Sequence, residues 1–395
     1  MRWPTPPASN PRPAGPTCRG QRSVPTTNGT LRCTADTVAD RRHRVAVRPV
    51  IDRDAPEGIT TALDWSPMSQ MRLNQLTGRW VTIVAERAQR PTDFRPRSEF
   101  LPVDDSRACP FCPGNEEATP PALETFDDAG NWRMRVVPNL YPAFDGDGGF
   151  AVHHEGPVHV MAEGTGVHEV FVYTRDHDRN LDSLDDGEAA DVMMALKSRF
   201  VEHAAMPNIR YTQAIVNHGR EAGASIAHPH GQLLALPFVP GEVLDEERAF
   251  ARFAGGCLLC TTVEAELATG ERVVAANDDV AIIAPYWSGV PYELLIVPRA
   301  HDLHLQDATD DGLAAVGRAL RDATAFLNRA LGDVAYNVGI HTAPHAHTGE
   351  YHWHVHIWPN LVTSAGFERG TGVMINIVPP EDAAAQLRDA AALAT

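Results

Sequence analysis

The sequence predicts an α+β protein made of two copies of one antiparallel unit, and three features in a fixed order predict it. Two Cys-x-x-Cys pairs stand at Cys109/Cys112 and Cys257/Cys260. Each pair is followed by a strand-like apolar run ending in a histidine, Glu169 to His177 and Tyr292 to His301. Each run is followed by a His-x-His, His228-Pro229-His230 and His352-Trp353-His354. His177 and His228 are 51 residues apart, and so are His301 and His352. One matching spacing arises easily by chance, whereas three matching features in the same order mark an internal repeat. The chain therefore divides into halves 68–245 and 246–395.

The elements follow in order. Arg79–Val84 is the first convincing strand, and Arg210–Asn217, Val280–Ile283 and Tyr336–His341 are further β-rich runs. Each copy carries one helix between its strand-His and its His-x-His. Asp185–Ala204 opens on an acidic, cap-like stretch, and Asp310–Leu331 sets Leu313, Val316, Leu320, Phe326 and Leu327 at helical spacing. Strands, a helix and more strands without regular βαβ alternation predict antiparallel sheets with packed helices.

Composition narrows the function. At 395 residues, 43% hydrophobic and 22% charged, the chain is ordinary globular protein. Lys and Arg number 34 against 51 Asp and Glu, and the net charge of −17 opposes polyanionic partners such as nucleic acid or an acidic membrane. No apolar run approaches the ~18–20 residues of a membrane span, and no secretory signal opens the chain. A cytoplasmic enzyme of small molecules is the expectation. Lys197 is the single lysine, so phosphate contacts fall to Arg, His and backbone amides.

Residues 1–67 differ from the rest, with ten Pro, ten Arg and six acids. Such a segment cannot bury enough surface to offset chain entropy, which predicts a disordered extension. The change in composition places a natural start at Met68 or Met71.

A Cys-x-x-Cys turn brings two thiolates to one ion, and two imidazoles complete a tetrahedral Zn²⁺ shell. Cys109, Cys112, His177 and His228 form one such set, and Cys257, Cys260, His301 and His352 form its duplicate. A redox dithiol or a disulfide is the alternative for each pair. A closed four-ligand shell is structural, because it leaves no position for a catalytic water. His304, His345 and His347 have no duplicated partner and read as solvated loop residues.

The segment Asn217–Gln232 combines a Gly-rich turn with His228-Pro229-His230-Gly231-Gln232. In an extended chain, His228, His230 and Gln232 share a face. With His228 on a metal, His230 is held in place to attack phosphorus, and Gln232 and Ser225 donate to phosphoryl oxygens. A metal loop without catalysis competes with this reading.

These residues carry a family resemblance. Leu76–Trp80 with Glu86–Pro91, Cys109–Asn115, Pro138–Ala143, Asn217–Gln232 and Pro285–His301 resemble the galactose-1-phosphate uridylyltransferase family of the histidine-triad superfamily, from about Leu73 onward. The resemblance implies two histidine-triad-like halves in one extended sheet, a homodimer, and ping-pong transfer of UMP from UDP-glucose to galactose-1-phosphate. It implies His230 as nucleophile, Gln232 as phosphoryl-binding amide, and Ser225 and Asn217 near the phosphates. Arg87 and Arg90 would bind substrate phosphate, and Asn139 would border the nucleotide.

The family also uses a second metal, of the iron type, in some members. Glu246, His341, His354 and His356 are its candidates, in competition with the second Cys2His2 set for neighbouring histidines. His354 occupies the place of His230 in the second copy, so it stands as the rival nucleophile.

Two departures bear on substrate. Leu140 replaces an acid that meets the ribose in many uridylyltransferases, and Gly366–Asn376 lacks the Glu and Gln that read sugar hydroxyls. That run and the second Cys-x-x-Cys resemble the ADP-glucose phosphorylase branch, where the same His takes AMP and phosphate accepts it. A nucleotide-binding module without catalysis and a histidine-triad hydrolase are the remaining alternatives.

Overall fold

The computed structural model describes residues 69–85, 109–128 and 130–392, all within the unit Asp64–Thr395. Residues 1–67, Met68, Arg87 and Arg90 lie outside the described residues. A small sheet joins β1 (Gln70–Leu73) and β2 (Trp80–Ile83) to a strand near the C-terminal end, which pairs with β2 in parallel.

The sequence repeat becomes a spatial one. The first copy supplies β3 (Glu124–Asp128), β4 (Asn131–Pro138), a separate hairpin of β5 (Val152–Glu155) and β6 (His159–Ala162), then β7 (Val167–Val172). Helix α1 (Asp186–Ala205), β8 (Tyr211–His218) and β9 (His230–Leu236) complete it. After α2 (Gly241–Arg252) and α3 (Leu258–Thr269), the second copy supplies β10 (Val273–Ala276), β11 (Val280–Ile283) and β12 (Leu294–Pro298). It continues with α4 (Asp310–Leu331), β13 (Tyr336–His341) and β14 (His354–Pro359). The chain closes with α5 (Gly366–Thr371), β15 (Met374–Asn376), which is the strand beside β2, and α6 (Pro380–Ala392).

Ten strands form one antiparallel sheet in the order β10-β11-β12-β14-β13-β8-β9-β7-β4-β3. Read outward from the central β13–β8 pair, the two halves run through equivalent strands in the same succession. At that seam Asn217 is opposite Asn337, and the Asn337 amide donates to Asn217 Oδ1 at 2.7 Å.

The helices start where their sequences dictate. Asp185 accepts from Glu188 N while Glu188 accepts from Asp185 N, both at 2.8 Å, closing a capping box on α1. Thr309 caps α4 through Gly312 N at 3.1 Å. The two helices meet with their backbones nearly touching: a Cβ on Gly317 would lie 2.2 Å from the Ala189 carbonyl oxygen. Their apolar faces, including Met193, Leu196, Phe200, Leu313, Val316 and Leu320, bury one face of the sheet in a single core.

The other face is covered unequally. In the second half α2 and α3 lay Phe250 and Leu259 over Ile283, Leu295 and Val297. Among the described residues of the first half, a small cluster of Cys109, Phe111, Cys112, Val137, Val170 and Val172 lies there. Among the described residues, no helix is long and apolar enough to cross a membrane.

Candidate active site and metal clusters

The first Cys-x-x-Cys is a tight turn, with Cys112 N bonded to Cys109 O at 3.3 Å. Cys112 Sγ lies 3.3 Å from His177 Nδ1 and 3.4 Å from His228 Nδ1. Around a tetrahedral Zn²⁺, with bonds of ~2.3 Å to sulfur and ~2.05 Å to nitrogen, sulfur and nitrogen stand about 3.5 Å apart. The donor set fits the ion. His228 Nε2 donates to Thr174 O at 2.9 Å, which leaves Nδ1 as the lone-pair nitrogen facing the thiols. Burial pushes His228 down to about 4, so it is neutral and able to ligate. Burial and then the neighbouring Cys109 push Cys112 up to about 11, a cost that a cation between the two sulfurs would relieve.

The second copy repeats this arrangement. Cys257 and Cys260 Sγ each lie 3.4 Å from His352 Nδ1, and His301 Nδ1 is 3.6 Å from Cys260 Sγ. His352 Nε2 donates to Pro298 O at 2.9 Å, the counterpart of the His228–Thr174 bond. In each four-residue set, the ligand atoms lie within 4.8 Å of one another.

Glu246, His341, His354 and His356 form a third set, also within 4.8 Å and buried throughout. The sequence set this group in competition with the second Cys2His2 set. The structure keeps the two apart, because His352 turns to the thiols while His354 and His356 turn to Glu246 on α2. His354 Nε2 is 3.0 Å from His356 Nε2, the separation expected of two nitrogens ~2.1 Å from one ion and at right angles. His356 Nδ1 is buried without a hydrogen-bond partner, and Glu246 accepts from His341 Nδ1 at 2.8 Å and from the Tyr351 hydroxyl. These residues fit a divalent metal.

His230 opens β9. The bend at 225–228 lies outside the strand, so the predicted shared face holds for His230 and Gln232 while His228 precedes it. Gly231 between them is required by packing, since a Cβ there would lie 2.1 Å from the Phe171 ring and 2.7 Å from Ile215 O. His230 Nδ1 donates to His228 O at 2.8 Å, which leaves Nε2 unprotonated. Its ring sits 5.1 Å from that of Phe111, and burial lowers its pKa, which favours the neutral imidazole. The rival His354 is fully buried, closed in by α2 and the third cluster.

Asn217 is the next-to-last residue of β8, half-buried, and Ser225 is exposed on the β8–β9 loop. Asn139 stands at the end of β4, its Oδ1 taking Tyr141 N at 2.9 Å, and Leu140 beside it is exposed. Phosphate binding by Arg87 and Arg90 concerns residues outside the described part of the chain.

Some residues differ from their sequence reading. His345 is buried, its Nε2 2.9 Å from Thr212 Oγ1, and His347 pairs with Glu247 at 2.8 Å. His304 contacts Asp307 and Pro344 O. None of the three is a solvated loop histidine: the β13–β14 connection brings His345 to β8 and His347 to α2, and its Pro344 carbonyl meets His304 on the β12–α4 loop. Two further features escaped the sequence reading. His168 on β7 contacts Gln232, and Glu169 forms a buried network with Arg199 and His203. Alternation along Val167–Val172 was the one available signal for His168.

Two adjoining matches cover most of the chain. The N-terminal domain of galactose-1-phosphate uridyl transferase matches residues 59–240, and the C-terminal domain matches residues 244–384. The chain belongs to this family.

An ADP-glucose phosphorylase from Arabidopsis thaliana is 33% identical over 329 residues, 81% of this chain and 92% of that protein. A galactose-1-phosphate uridylyltransferase from Haemophilus influenzae is 28% identical over 305 residues, 74% of this chain and 84% of that protein. The crystal structure of an Arabidopsis thaliana ADP-glucose phosphorylase with bound ADP-glucose aligns with a TM-score of 0.69 at 32% identity, covering 82% of this chain and 99% of that one. The family fold is therefore the one seen here, with mixed α and β structure and antiparallel sheets.

Proposed function

We propose that the chain is a nucleotidyltransferase working through a covalent intermediate on His230, as a UDP-glucose–hexose-1-phosphate uridylyltransferase in galactose metabolism. The observation that carries this reading is the His230 tautomer. Nδ1 is tied to His228 O at 2.8 Å, which leaves Nε2 as the lone-pair nitrogen of a ring on the same strand face as Gln232. The uridylyltransferases related to this chain support the choice of base and acceptor.

Nε2 attacks the α-phosphorus of UDP-glucose. A P–N bond forms, the bond from that phosphorus to the bridging oxygen breaks, and glucose-1-phosphate departs with the electron pair. A phosphate oxygen of galactose-1-phosphate then attacks the same phosphorus, the P–N bond breaks, and the neutral imidazole returns. Gln232 and Ser225 donate to the phosphoryl oxygens. Asn217 lies near the phosphates, Asn139 borders the nucleotide, and Arg87 and Arg90 bind substrate phosphate.

Cys109, Cys112, His177 and His228 would hold one Zn²⁺ and Cys257, Cys260, His301 and His352 another, each structural because its shell is closed. Glu246, His341, His354 and His356 would hold a further metal of the iron type. Halves 68–245 and 246–395, assembled as a cytoplasmic homodimer, complete the proposal.

A second reading has its own support. The duplicated Cys2His2 set and the 33% identity to an ADP-glucose phosphorylase favour AMP on His230 with phosphate as acceptor. Intact-mass measurement after separate incubation with UDP-glucose and ADP-glucose separates the two. A UMP-sized adduct lost on adding galactose-1-phosphate is the expected result, and it should be missing from His230→Ala. An AMP-sized adduct lost on adding phosphate would replace the uridylyl assignment. No adduct with either would overturn covalent transfer and leave a nucleotide-binding module.

A further inference from the structure

Across the β7–β9 ladder Val170 is opposite Gln232, so His168, two residues earlier on the same strand face, is its diagonal neighbour. The backbone N–H of Ala143 donates to His168 Nδ1 at 3.0 Å. A neutral imidazole carries one proton and cannot accept at both nitrogens. The proton is therefore on Nε2, which lies 2.7 Å from Gln232 Oε1. That bond takes up the amide oxygen and leaves the amide NH₂ turned away from His168 as a donor. The neighbouring Glu169 forms a buried pair with Arg199, at 2.6 Å, that ties β7 to α1.

We propose that His168 is a positioning residue that sets which end of the Gln232 amide meets the reacting phosphoryl group. The inference rests on the nucleotidyl-transfer reading. An inverted amide would present oxygen to phosphoryl oxygen, a repulsive contact where a donor is needed. Without the Nε2–H bond both orientations are populated. Asn139 flanks the same imidazole, its Nδ2 3.1 Å from Nε2. Its own oxygen is held by Tyr141 N, so its NH₂ meets Nε2–H donor to donor and makes no bond, and the Nε2 proton goes to Gln232 Oε1.

Single-turnover formation of the His230 adduct tests this with three variants of matched thermal stability. His168→Phe should slow adduct formation about tenfold at saturating nucleotide sugar, with half-saturation little changed, as expected for one lost hydrogen bond. His168→Gln, whose amide nitrogen replaces Nε2–H, should restore most of the rate. In a Gln232→Ala background His168→Phe should cost nothing further, because His168 acts through Gln232. Equal losses in both backgrounds, or failure of His168→Gln to rescue, would overturn the proposal.

A second readout needs no turnover. The ¹⁵N spectrum of the His168 ring should show the Nε2-protonated tautomer, with a signal displaced in Gln232→Ala. An Nδ1-protonated ring, or one indifferent to Gln232, would overturn the proposal. If the wild-type protein formed no adduct, the transfer reading would fall and the ¹⁵N spectrum would still decide the His168–Gln232 bond.

Discussion

Replacing Arg199 with methionine strips one member from a buried ion pair, and the structure sets the scale of the loss. The Glu169 and Arg199 side chains are 1% and 4% exposed, joined by bonds of 2.9 and 2.6 Å. Breaking such a pair from one side costs about 3–5 kcal/mol, because an uncompensated carboxylate stays behind. His203 still contacts Glu169 at 3.1 Å, which favours the lower end, ~3 kcal/mol. With unfolding entropy near 2.1 cal/mol/K per residue over roughly 300 residues, that loss lowers Tm by about 5 °C.

The deficit should also depend on pH. Burial raises the Glu169 pKa, but hydrogen bonds from His203 and Arg199 outweigh it and hold the carboxyl below its usual range. This stabilisation is complete at neutral pH and is lost as pH falls through the lowered value. Without Arg199 the carboxyl takes up its proton at higher pH, which relieves the variant first. Urea unfolding of both proteins at pH 7.5 and pH 5 should therefore show a gap that narrows in acid. Equal midpoints at pH 7.5, or a gap unchanged at pH 5, would refute the reasoning.

Other outcomes follow from the same geometry. Cys112→Ser should lower bound zinc by about one ion per chain and weaken nucleotidylation of His230, by metal analysis and intact mass; unchanged metal content would remove Cys112 from the ligands. Gly231→Ala should cost about 1–3 kcal/mol or more through its clash with Phe171, and the double variant with Phe171→Leu should recover part of it; a neutral Gly231→Ala would contradict the close approach. Burial lowers His345 to about 4 despite its bond to Thr212, and nearby His203 and His304 push the same way. Its stabilisation is present above the ordinary histidine range and lost as pH falls toward 4, about 3 kcal/mol in all, so His345→Gln should flatten that acid slope; an unchanged slope would discount it. His354→Asn should leave covalent labelling on His230, and a loss of labelling would return the second copy to candidacy.

Local signals carried most of the fold. The Cys-x-x-Cys pairs and repeated histidines lie at fixed spacings, and α4 and β11 begin and end where their apolar periodicity does. In the small sheet β2 was legible at Arg79–Val84, but its pairing with β15 left no such trace, because that parallel pair joins residues nearly 300 positions apart in short strands. Asn376 was equally silent, although its amide donates to Ser288 O and Val290 O and ties β15 to the β11–β12 connection. At the candidate site, the proposed roles of His230 and Gln232 rest on a rare local pattern in the sequence. Glu169, Arg199 and His203 did not, since a charged residue in a half-apolar strand or helix reads as solvated until its partner, 30 residues or more away, is placed beside it. His168 was hidden for the same reason.

The seam between β8 and β13 has a consequence for assembly. Each of these strands is central only because the other is there. If the chain were cut in the link between β9 and α2, each half would keep its five strands of the large sheet but display a long, unpaired backbone edge. Supplied together, the halves should anneal along that edge with Asn217 meeting Asn337, as they do in the intact chain. Supplied alone, either half would offer the same edge to copies of itself, and the likeness that lets the two copies share a sheet would become a route to aggregation.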